Sequence, residues 1–543
     1  MRKKTQPIKE EIEIPEKCSY LDEYNKNLPQ MEFIDKHVCS NFKNRYKEDD
    51  KVFCIFHYPN ESKTSEFQSA LAEKVNKGHF IFNGTWFPDS VDLSWVEFNT
   101  PANFSHCYFS KDVSFSNASF LLGADFRCAT FNQKTDFNYA SFVNSEEVLD
   151  VEISFYSAVF KNQVNFYSTK FRKRVDFTDA KFAESLSCSN TEFNEDISFK
   201  NAIINSAYFS ETTFEKNADF KKIIAESIAF SETIFGTNAD FYEAEINGGS
   251  FNKTFFKKVV DFRESIVKSS ISFEGSSFEG FVKFSGRDRN HNSWALNALN
   301  FTSTDIEKPE RVSFRSLTLK PDSFINTDTR KFEFTDIKWK RKNFAGDWSR
   351  FKDIFFWKEE AKRRKSQYEL LAIAYSRLAV NAEENNRYKE ASNFRFTANE
   401  IQRIGNHWYG RLPSLGWLYK WSSRFGESWL WTLFILVMVV FAVFPYIYTQ
   451  INFQTCSKDR AIAASLTVCE SKDEEIRKNC TCSTDQITLT DAIVQSLTTA
   501  TLQNVEYRKP RGVWGELWII LEKIFAPLQA ALLALAIRRK FMR

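Results

Sequence analysis

Phenylalanine recurs along this chain at a spacing that few folds accommodate. From residue 98 onward the steps between phenylalanines alternate between six and five residues, and a second run keeps this alternation. A helix repeats every 3.6 residues and a strand every two, so neither generates these steps. The pattern therefore predicts a chain that winds through a repeat. The two runs are Phe104, Phe109, Phe115, Phe120, Phe126, Phe131, Phe137 and Phe142, then Phe155, Phe160, Phe166, Phe171, Phe177 and Phe182.

A small or β-branched residue stands two positions before many of these phenylalanines, as in "ADF" at 124 to 126 and "VDF" at 175 to 177. This resembles the pentapeptide-repeat family, in which both residues point inward from each face of a right-handed quadrilateral β-helix. The resemblance implies a solenoid of about 12 coils over residues 80 to 340. Steps of six depart from the family's five, so we expect some faces to bulge. The phenylalanines then form a stacked core, and the side surface is available to an unknown cytosolic ligand or protein.

The region ahead of the repeat, residues 1 to 79, lacks the phenylalanine pattern and is expected to cap the first coil. Cys54 and His57 stand there at C-x-x-H spacing, with Cys18 and Cys39 upstream. These four side chains could hold a structural zinc, although free cysteines are also commonly buried for packing alone. Apart from this candidate zinc, we expect no cofactor.

Helix-forming residues replace the repeat between residues 341 and 425. Apolar residues recur at helical spacing on either side of the polar turn "NAEENNR", which predicts a helical hairpin. The stretch "AEENNRYKEASNFRFTANEIQR" resembles a connector between pentapeptide repeats and a channel module in bacterial proteins. A tetratricopeptide-like unit is the alternative interpretation.

The last domain, residues 426 to 543, contains two membrane-length apolar runs, at 428 to 448 and 517 to 537. The first run carries no charge, whereas the second contains Glu522, Lys523 and Pro527. An ionisable group inside a span is costly unless it faces protein or water. Glu522 and the helix-kinking Pro527 are therefore candidate gating residues on this second helix.

Flanking charge predicts the orientation of the two runs. Lys420 and Arg424 precede the first and "RRKFMR" follows the second, which favours two cytoplasmic termini in a multi-pass protein of the plasma membrane, most simply a bacterial inner membrane. The basic residues Arg508, Lys509 and Arg511 on the other side weaken this assignment without reversing it.

The outer loop, residues 449 to 487, would then face an extracellular or periplasmic compartment. Its four cysteines predict two disulfide bonds, and zinc is the alternative. Three pairings are open, although a bond between the two nearest cysteines would be strained. The four are Cys456, Cys469, Cys480 and Cys482.

Residues 488 to 511 join this loop to the second run. Thr490 or Asp491 can cap a short helix whose Ile493, Val494 and Leu497 are expected to pack against the spans. The order span, short re-entrant helix, polar strand, span resembles the two-transmembrane pore-loop ion channels, as does the tail "LWIILEKIFAPLQAALLALAIRRKFMR". The resemblance implies a homo-oligomer, with a tetramer expected, in contact with membrane lipid and permeant ions.

The T-V-G-Y-G-D filter of potassium channels aligns with residues 501 to 506, where both glycines are absent. That filter needs backbone conformations that other residues adopt poorly, so we expect a non-selective or cation-preferring pore without potassium selectivity. Ordinary loop surface is the alternative interpretation. The predicted pore-lining residues are Thr498, Thr499, Thr501, Leu502, Gln503, Asn504, Val505 and Glu506.

Composition and motif content argue against two other classes of function, a nucleic-acid-binding protein and an enzyme. The balance of 73 basic and 70 acidic residues argues against a nucleic-acid partner. Six histidines and the lack of a recognisable catalytic motif argue against an enzyme. The leading hypothesis is an ion channel regulated by a cytosolic β-helix, and its rival is a membrane-anchored scaffold that conducts no ions.

Overall fold

The computed structural model describes residues 45–48, 51–143, 152–287, 294–295, 298–340, 358–405, 415–458, 480–503 and 508–541. They belong to two compact units, Met1–Gly346 and Asp347–Arg543.

The first unit is a β-solenoid of about 11 turns, which confirms the predicted winding chain. Short strands pair in parallel with the equivalent strands one turn away, as Ala102–Asn103 does with Ala124–Asp125. Four such ladders run along the solenoid. The first contains Ala102–Asn103, Ala124–Asp125, Ile153–Ser154, Val175–Asp176, Ile197–Ser198, Ala218–Asp219, Ala239–Asp240, Val260–Ser272, Val282–Gly286, Val312–Arg315 and Glu333–Thr335.

The other three ladders follow the same parallel pairing. The second contains Trp86–Phe87, Tyr108–Phe109, Thr130–Phe131 and Val159–Phe160. The third contains Val91–Asp92, Val113–Ser114, Thr135–Asp136, Val164–Asn165 and Leu299–Asn300. The fourth contains Glu97–Phe98, Ser119–Phe120, Ser141–Phe142, Lys170–Phe171, Glu192–Phe193, Thr213–Phe214, Ile234–Phe235, Phe255–Phe256, Ser277–Phe278 and Asp305–Ile306.

One side of the solenoid has longer strands than the others. Over five successive turns the second and third ladders share single long strands, and the register shifts between Phe182 and Ser185. This register shift is a β-bulge, which absorbs an extra residue. The expected outward bulging of some faces stays a prediction. The long strands are Lys181–Ser187, Ile203–Tyr208, Ile224–Ala229, Glu245–Ser250 and Val260–Ser272.

Stacked phenylalanines fill the interior, as the sequence predicts. The ring centroids of Phe104 and Phe126 lie 5.1 Å apart, and those of Phe120 and Phe142 lie 4.5 Å apart. All four side chains are fully buried. Offset stacking of this kind adds to the free energy gained by burying the rings. The spacing of phenylalanines in the sequence thus corresponds to the stacking of their rings in the core.

A cap closes the start of the solenoid. It comprises the antiparallel strands Arg45–Glu48 and Lys51–Cys54, the 3₁₀ turn Glu61–Lys63 and the cap helix Thr64–Asn76. Phe67 of the cap helix packs edge-on against Phe87 at 5.4 Å. Lys63 is buried beside it, and its Nζ donates to Ile55 O at 2.6 Å. Burial lowers the pKa of Lys63 to about 7.

Two short strands and two 3₁₀ turns complete the other end of the solenoid. The strands Thr318–Leu319 and Lys338–Trp339 pair in parallel, and 3₁₀ turns cover Pro309–Arg311 and Pro321–Phe324. The side chains of Phe334 and Trp339 pack edge-on at 5.1 Å.

The second unit begins with the predicted helical hairpin, called here the connector. Its helices Lys358–Glu384 and Tyr388–Gly405 pack through Tyr375 and Phe394, whose rings lie 6.1 Å apart. The linker helix Leu415–Ser423 follows.

Among the described residues of this unit, two helices are long and apolar enough to cross a membrane, as predicted. The first span is Trp429–Thr449, and the second span lies within the helix Val513–Phe541. Between them lie an antiparallel outer sheet, formed by Asn452–Lys458, Cys480–Gln486 and Arg508–Pro510, and the loop helix Leu489–Ala500.

Candidate functional site

The loop helix lies between the two spans, at the position predicted for a pore helix. It begins after Thr488, whose hydroxyl oxygen accepts a hydrogen bond from the Asp491 backbone N–H at 3.3 Å. Such a cap satisfies one of the free amide groups of the first turn. The helix therefore starts two or three residues earlier than a cap at Thr490 or Asp491 would give.

The C-terminal end of the loop helix is closed by Leu502 in a left-handed conformation, at φ 62°. Its backbone N–H donates to Thr499 O at 3.0 Å, and Gln503 N–H donates to Thr498 O at 2.8 Å. This pair of bonds forms a Schellman cap, in which glycine usually occupies the left-handed position. Leucine pays a backbone penalty there, so tertiary contacts must hold the end of the helix in place.

The loop helix buries its polar face. Gln495, Ser496 and Thr499 are at most 4% exposed, whereas Val494 is 49% and Leu497 is 40% exposed. The expectation that the apolar residues pack against the spans was therefore wrong for Val494 and Leu497. The polar face is buried because the spans offer it hydrogen-bonding groups.

One of these groups is the carboxyl group of Glu522 on the second span, which is fully buried. Tyr448 of the first span donates its hydroxyl to Glu522 Oε2 at 2.5 Å, and Ser496 of the loop helix hydrogen-bonds to Glu522 Oε1. A buried carboxyl group is tolerated when such partners satisfy it. We call Glu522, Tyr448 and Ser496 the carboxyl junction, because it joins all three helices.

Ser496 makes a second contact that depends on an irregularity of the first span. Its hydroxyl donates to Val440 O at 2.7 Å. Residues Val439–Val443 form a π-helical turn in which Phe444 N–H bonds to Val439 O, so Val440 O loses its usual helical partner. Pro445 follows directly and has no N–H to donate. The π turn thus frees a carbonyl for the loop helix.

A second polar contact ties the spans to the linker helix. Gln529 is 1% exposed, and its Nε2 donates to Ser422 O at 2.8 Å and to Thr432 O at 3.1 Å. The second span therefore holds both the first span and the linker helix through one amide group. Between the carboxyl junction and Gln529, the predicted gating residue Pro527 is half-buried within a continuous helix.

The predicted pore-lining residues have different environments. The hydroxyls of Thr498 and Thr501 donate to backbone carbonyls of their own helix, and Thr499 is buried within the chain. Leu502 and Gln503 are exposed after the helix ends. Their assignment to a pore stays a prediction, and the remaining three, Asn504, Val505 and Glu506, lie outside the described residues.

The outer sheet places two of the candidate disulfide cysteines opposite one another. Cys456 pairs with Cys482 in the antiparallel register, and Cys480 pairs with Lys458. Cys469 lies outside the described part of the chain. A disulfide in this loop stays a prediction.

The candidate zinc ligands are described only in part. Cys54 Sγ lies 3.1 Å from His57 Nδ1, and His57 Nε2 lies 3.1 Å from Asn83 O. Both ring nitrogens of this buried histidine are therefore engaged. Among the residues that the structure describes, no three potential ligands meet. Cys18 and Cys39 fall outside that part of the chain.

The sequence did not single out Tyr448, Ser496 or Gln529. A signal was nevertheless present, because a carboxyl group within a long apolar run requires donors from neighbouring elements. Tyr448 near the end of the first span and Ser496 in the loop helix are hydroxyl donors of the required kind.

Comparison with protein-family models, curated proteins and solved structures found no match for this chain.

Proposed function

We propose that this chain is one subunit of an oligomeric ion channel in the plasma membrane, with a cytosolic pentapeptide-repeat β-helix as its regulatory domain. In this proposal the β-helix is right-handed and four-sided, and the loop helix is re-entrant. The observation that carries the proposal is the hydrogen bond from Ser496 in the loop helix to Val440 in the middle of the first span.

The position of Val440 sets the depth that the loop helix reaches. The first span ends at Thr449, nine residues beyond Val440. At 1.5 Å per residue this corresponds to about 14 Å, close to half of a hydrocarbon layer of about 30 Å. In a membrane, the end of the loop helix would therefore lie near the midplane rather than at the headgroups.

Polar groups at that depth require water or protein around them. Thr501 and Gln503 follow the loop helix and are exposed in the single chain. Exposed irregular backbone does not persist against lipid tails, but it is tolerated where it lines an aqueous cavity. A pathway for hydrated ions satisfies this condition.

Exposed apolar residues support assembly of several subunits. Val494 and Leu497 on the loop helix, and Ile524 on the second span, are at least 40% exposed. The described part of one chain has two candidate spans, too few to enclose a pathway, whereas cyclic symmetry closes one. Four subunits are the number that the channel resemblance implies.

The chemistry of the loop favours a wide pore. No glycine occurs between Leu502 and Glu506, so a ladder of carbonyls of the potassium-channel kind is not available. Glu506 supplies the charge that would attract cations to the mouth, and Arg508 and Lys509 supply the opposing charge. The carboxyl junction would hold the loop helix at its depth while ions pass.

Purified full-length protein in planar bilayers tests the proposal. We expect single-channel currents under a KCl gradient, and Glu506→Gln should move the reversal potential toward that of chloride. Glu97→Gln, which removes an exposed charge from the solenoid, should leave the reversal potential unchanged. A monodisperse monomer with silent bilayers would overturn the channel and favour the membrane-anchored scaffold.

A further inference from the structure

A cationic, aromatic pocket lies where the connector, the linker helix and the start of the first span meet. It has a volume of about 320 Å³. That volume is at the lower end of the range for small-molecule sites and large enough for a phosphate-containing group. The lining residues are Phe396, Lys420, Trp421, Arg424 and Trp431.

The charge of the pocket is positive. Its lining includes two cations and no carboxylate. Lys420 Nζ lies 2.6 Å from Glu400 Oε1, which also lies 2.9 Å from an Arg403 nitrogen. Burial alone would raise the pKa of Glu400, but the hydrogen bonds from Arg403 and Lys420 outweigh burial and lower it. Glu400 is therefore an anion shared by two cations.

Glu400 pairs with Lys420 and Arg403, so Arg424 carries the net positive charge of the pocket. Its guanidinium lies over the Phe396 ring at 5.3 Å. Within the described part of the chain, no carboxylate lies within ion-pair distance of Arg424. A guanidinium held against an aromatic face keeps its hydrogen-bond donors available to a phosphate.

The backbone around Arg424 fixes this placement. Arg424, Phe425 and Gly426 are three consecutive left-handed residues, at φ 50°, 58° and 73°. Two of them are not glycine, so the turn is costly and must be held by its surroundings. Packing of Phe425 stabilises the turn, because this side chain is 5% exposed and its ring lies 5.7 Å from that of Phe396.

The pocket opens onto an apolar surface on the first span. Trp431 donates its indole N–H to Trp421 O at 2.8 Å, so the two tryptophans are linked at the pocket wall. Leu430 is 61% and Phe434 is 52% exposed. Paired tryptophans and cations at one end of a membrane-length apolar helix are typical of the lipid headgroup region.

From these contacts we infer that the pocket binds the phosphate of an anionic phospholipid, whose acyl chains lie along Leu430 and Phe434. The inference rests on the proposed membrane location and names a regulator for the channel. A bound headgroup would contact the connector through Phe396 and the first span through Trp431. The cytoplasmic leaflet, where this end of the span is expected, is the anionic one.

Thermal unfolding of the full-length protein in a neutral detergent tests the site. Added phosphatidylglycerol should raise the unfolding midpoint in a concentration-dependent way, because a ligand that binds the folded state stabilises it. Phosphatidylcholine and inorganic phosphate at the same concentrations should give no comparable shift. An equal shift from inorganic phosphate would overturn the lipid assignment in favour of a free anion.

Arg424→Gln should weaken the apparent affinity for phosphatidylglycerol about fivefold, which corresponds to about 1 kcal/mol for one cation. Phe396→Leu should weaken it in the same direction. The matched control is Arg538→Gln, which removes an exposed cation near the end of the second span and should leave the affinity unchanged. Equal losses from Arg424→Gln and Arg538→Gln would indicate unspecific attraction and overturn the pocket.

Conductance separates this inference from the channel proposal. Currents in bilayers without any phosphatidylglycerol-dependent shift would refute the lipid site alone. A specific shift that is weakened in Arg424→Gln, with silent bilayers, would refute the channel alone.

Discussion

Replacing Glu522 should release the loop helix from the two spans. In Glu522→Ala, the hydroxyls of Tyr448 and Ser496 lose the carboxyl group to which both are hydrogen-bonded, and a cavity remains in its place. Two lost hydrogen bonds and a cavity together correspond to about 3–5 kcal/mol. For a unit of this size, the unfolding midpoint should fall by roughly 6–20 °C.

Glu522→Gln is the matched control for this change. The amide oxygen can accept from Tyr448, and the amide nitrogen can donate to Ser496 Oγ, which leaves the Ser496 proton for Val440 O. We therefore expect Glu522→Gln to unfold within about 1 kcal/mol of the wild type. Its bilayer currents should also persist.

Tryptophan fluorescence of the full-length protein in detergent provides the assay. Nine of the 13 tryptophans lie at or after Trp348, so the signal reports mainly on the second unit. Tyr448→Phe should cost about 1 kcal/mol in the wild type and less in Glu522→Ala, because the two changes remove one interaction. A loss below about 1 kcal/mol for Glu522→Ala, or additive costs, would refute the view that the carboxyl junction holds the loop helix.

Three further predictions concern the cap of the loop helix, the start of the solenoid and the outer sheet. Leu502→Gly should relieve the left-handed strain and slow amide hydrogen exchange at the end of the loop helix, by about 1 kcal/mol in opening free energy, and faster exchange would contradict it. Because burial lowers the pKa of Lys63 from 10.5 to about 7, the unfolded chain binds more protons between these values. Solenoid stability should therefore rise from pH 7 to 10.5, by at most about 5 kcal/mol, and Lys63→Met should flatten a urea-unfolding series that otherwise shows this rise. Peptide mapping without reductant should recover Cys456 linked to Cys482, as their register favours, and a Cys456–Cys469 peptide would contradict this pairing.

The solenoid was predictable because its signal is repeated many times. Each turn places residues such as Phe104 and Phe126 in equivalent positions, so the spacing in sequence directly reflects the stacking in the core. The side with long strands was not predictable, because the register shift between Phe182 and Ser185 depends on contacts with neighbouring turns. Local spacing contains no information about such a shift.

The candidate site was predicted in outline and not in detail. Apolar length alone located both spans, and the polar segment between them predicted the loop helix. The predicted orientation of that helix was wrong, because it followed the apolar pattern of Val494 and Leu497. The buried carboxyl group of Glu522 requires hydrogen-bond donors, and these lie on the polar face of the helix. Burial of a carboxyl group is decided by partners distant in sequence, so helical periodicity did not identify Ser496 as its donor.

The parallel ladders also determine how the solenoid responds to force. Each turn is joined to the next by backbone hydrogen bonds directed along the long axis, such as Phe104 N–H to Asp125 O at 2.7 Å. Tension along that axis can extend the solenoid only by breaking several such bonds at once in the gap that opens. The solenoid should therefore behave as a stiff strut that transmits displacement with little extension.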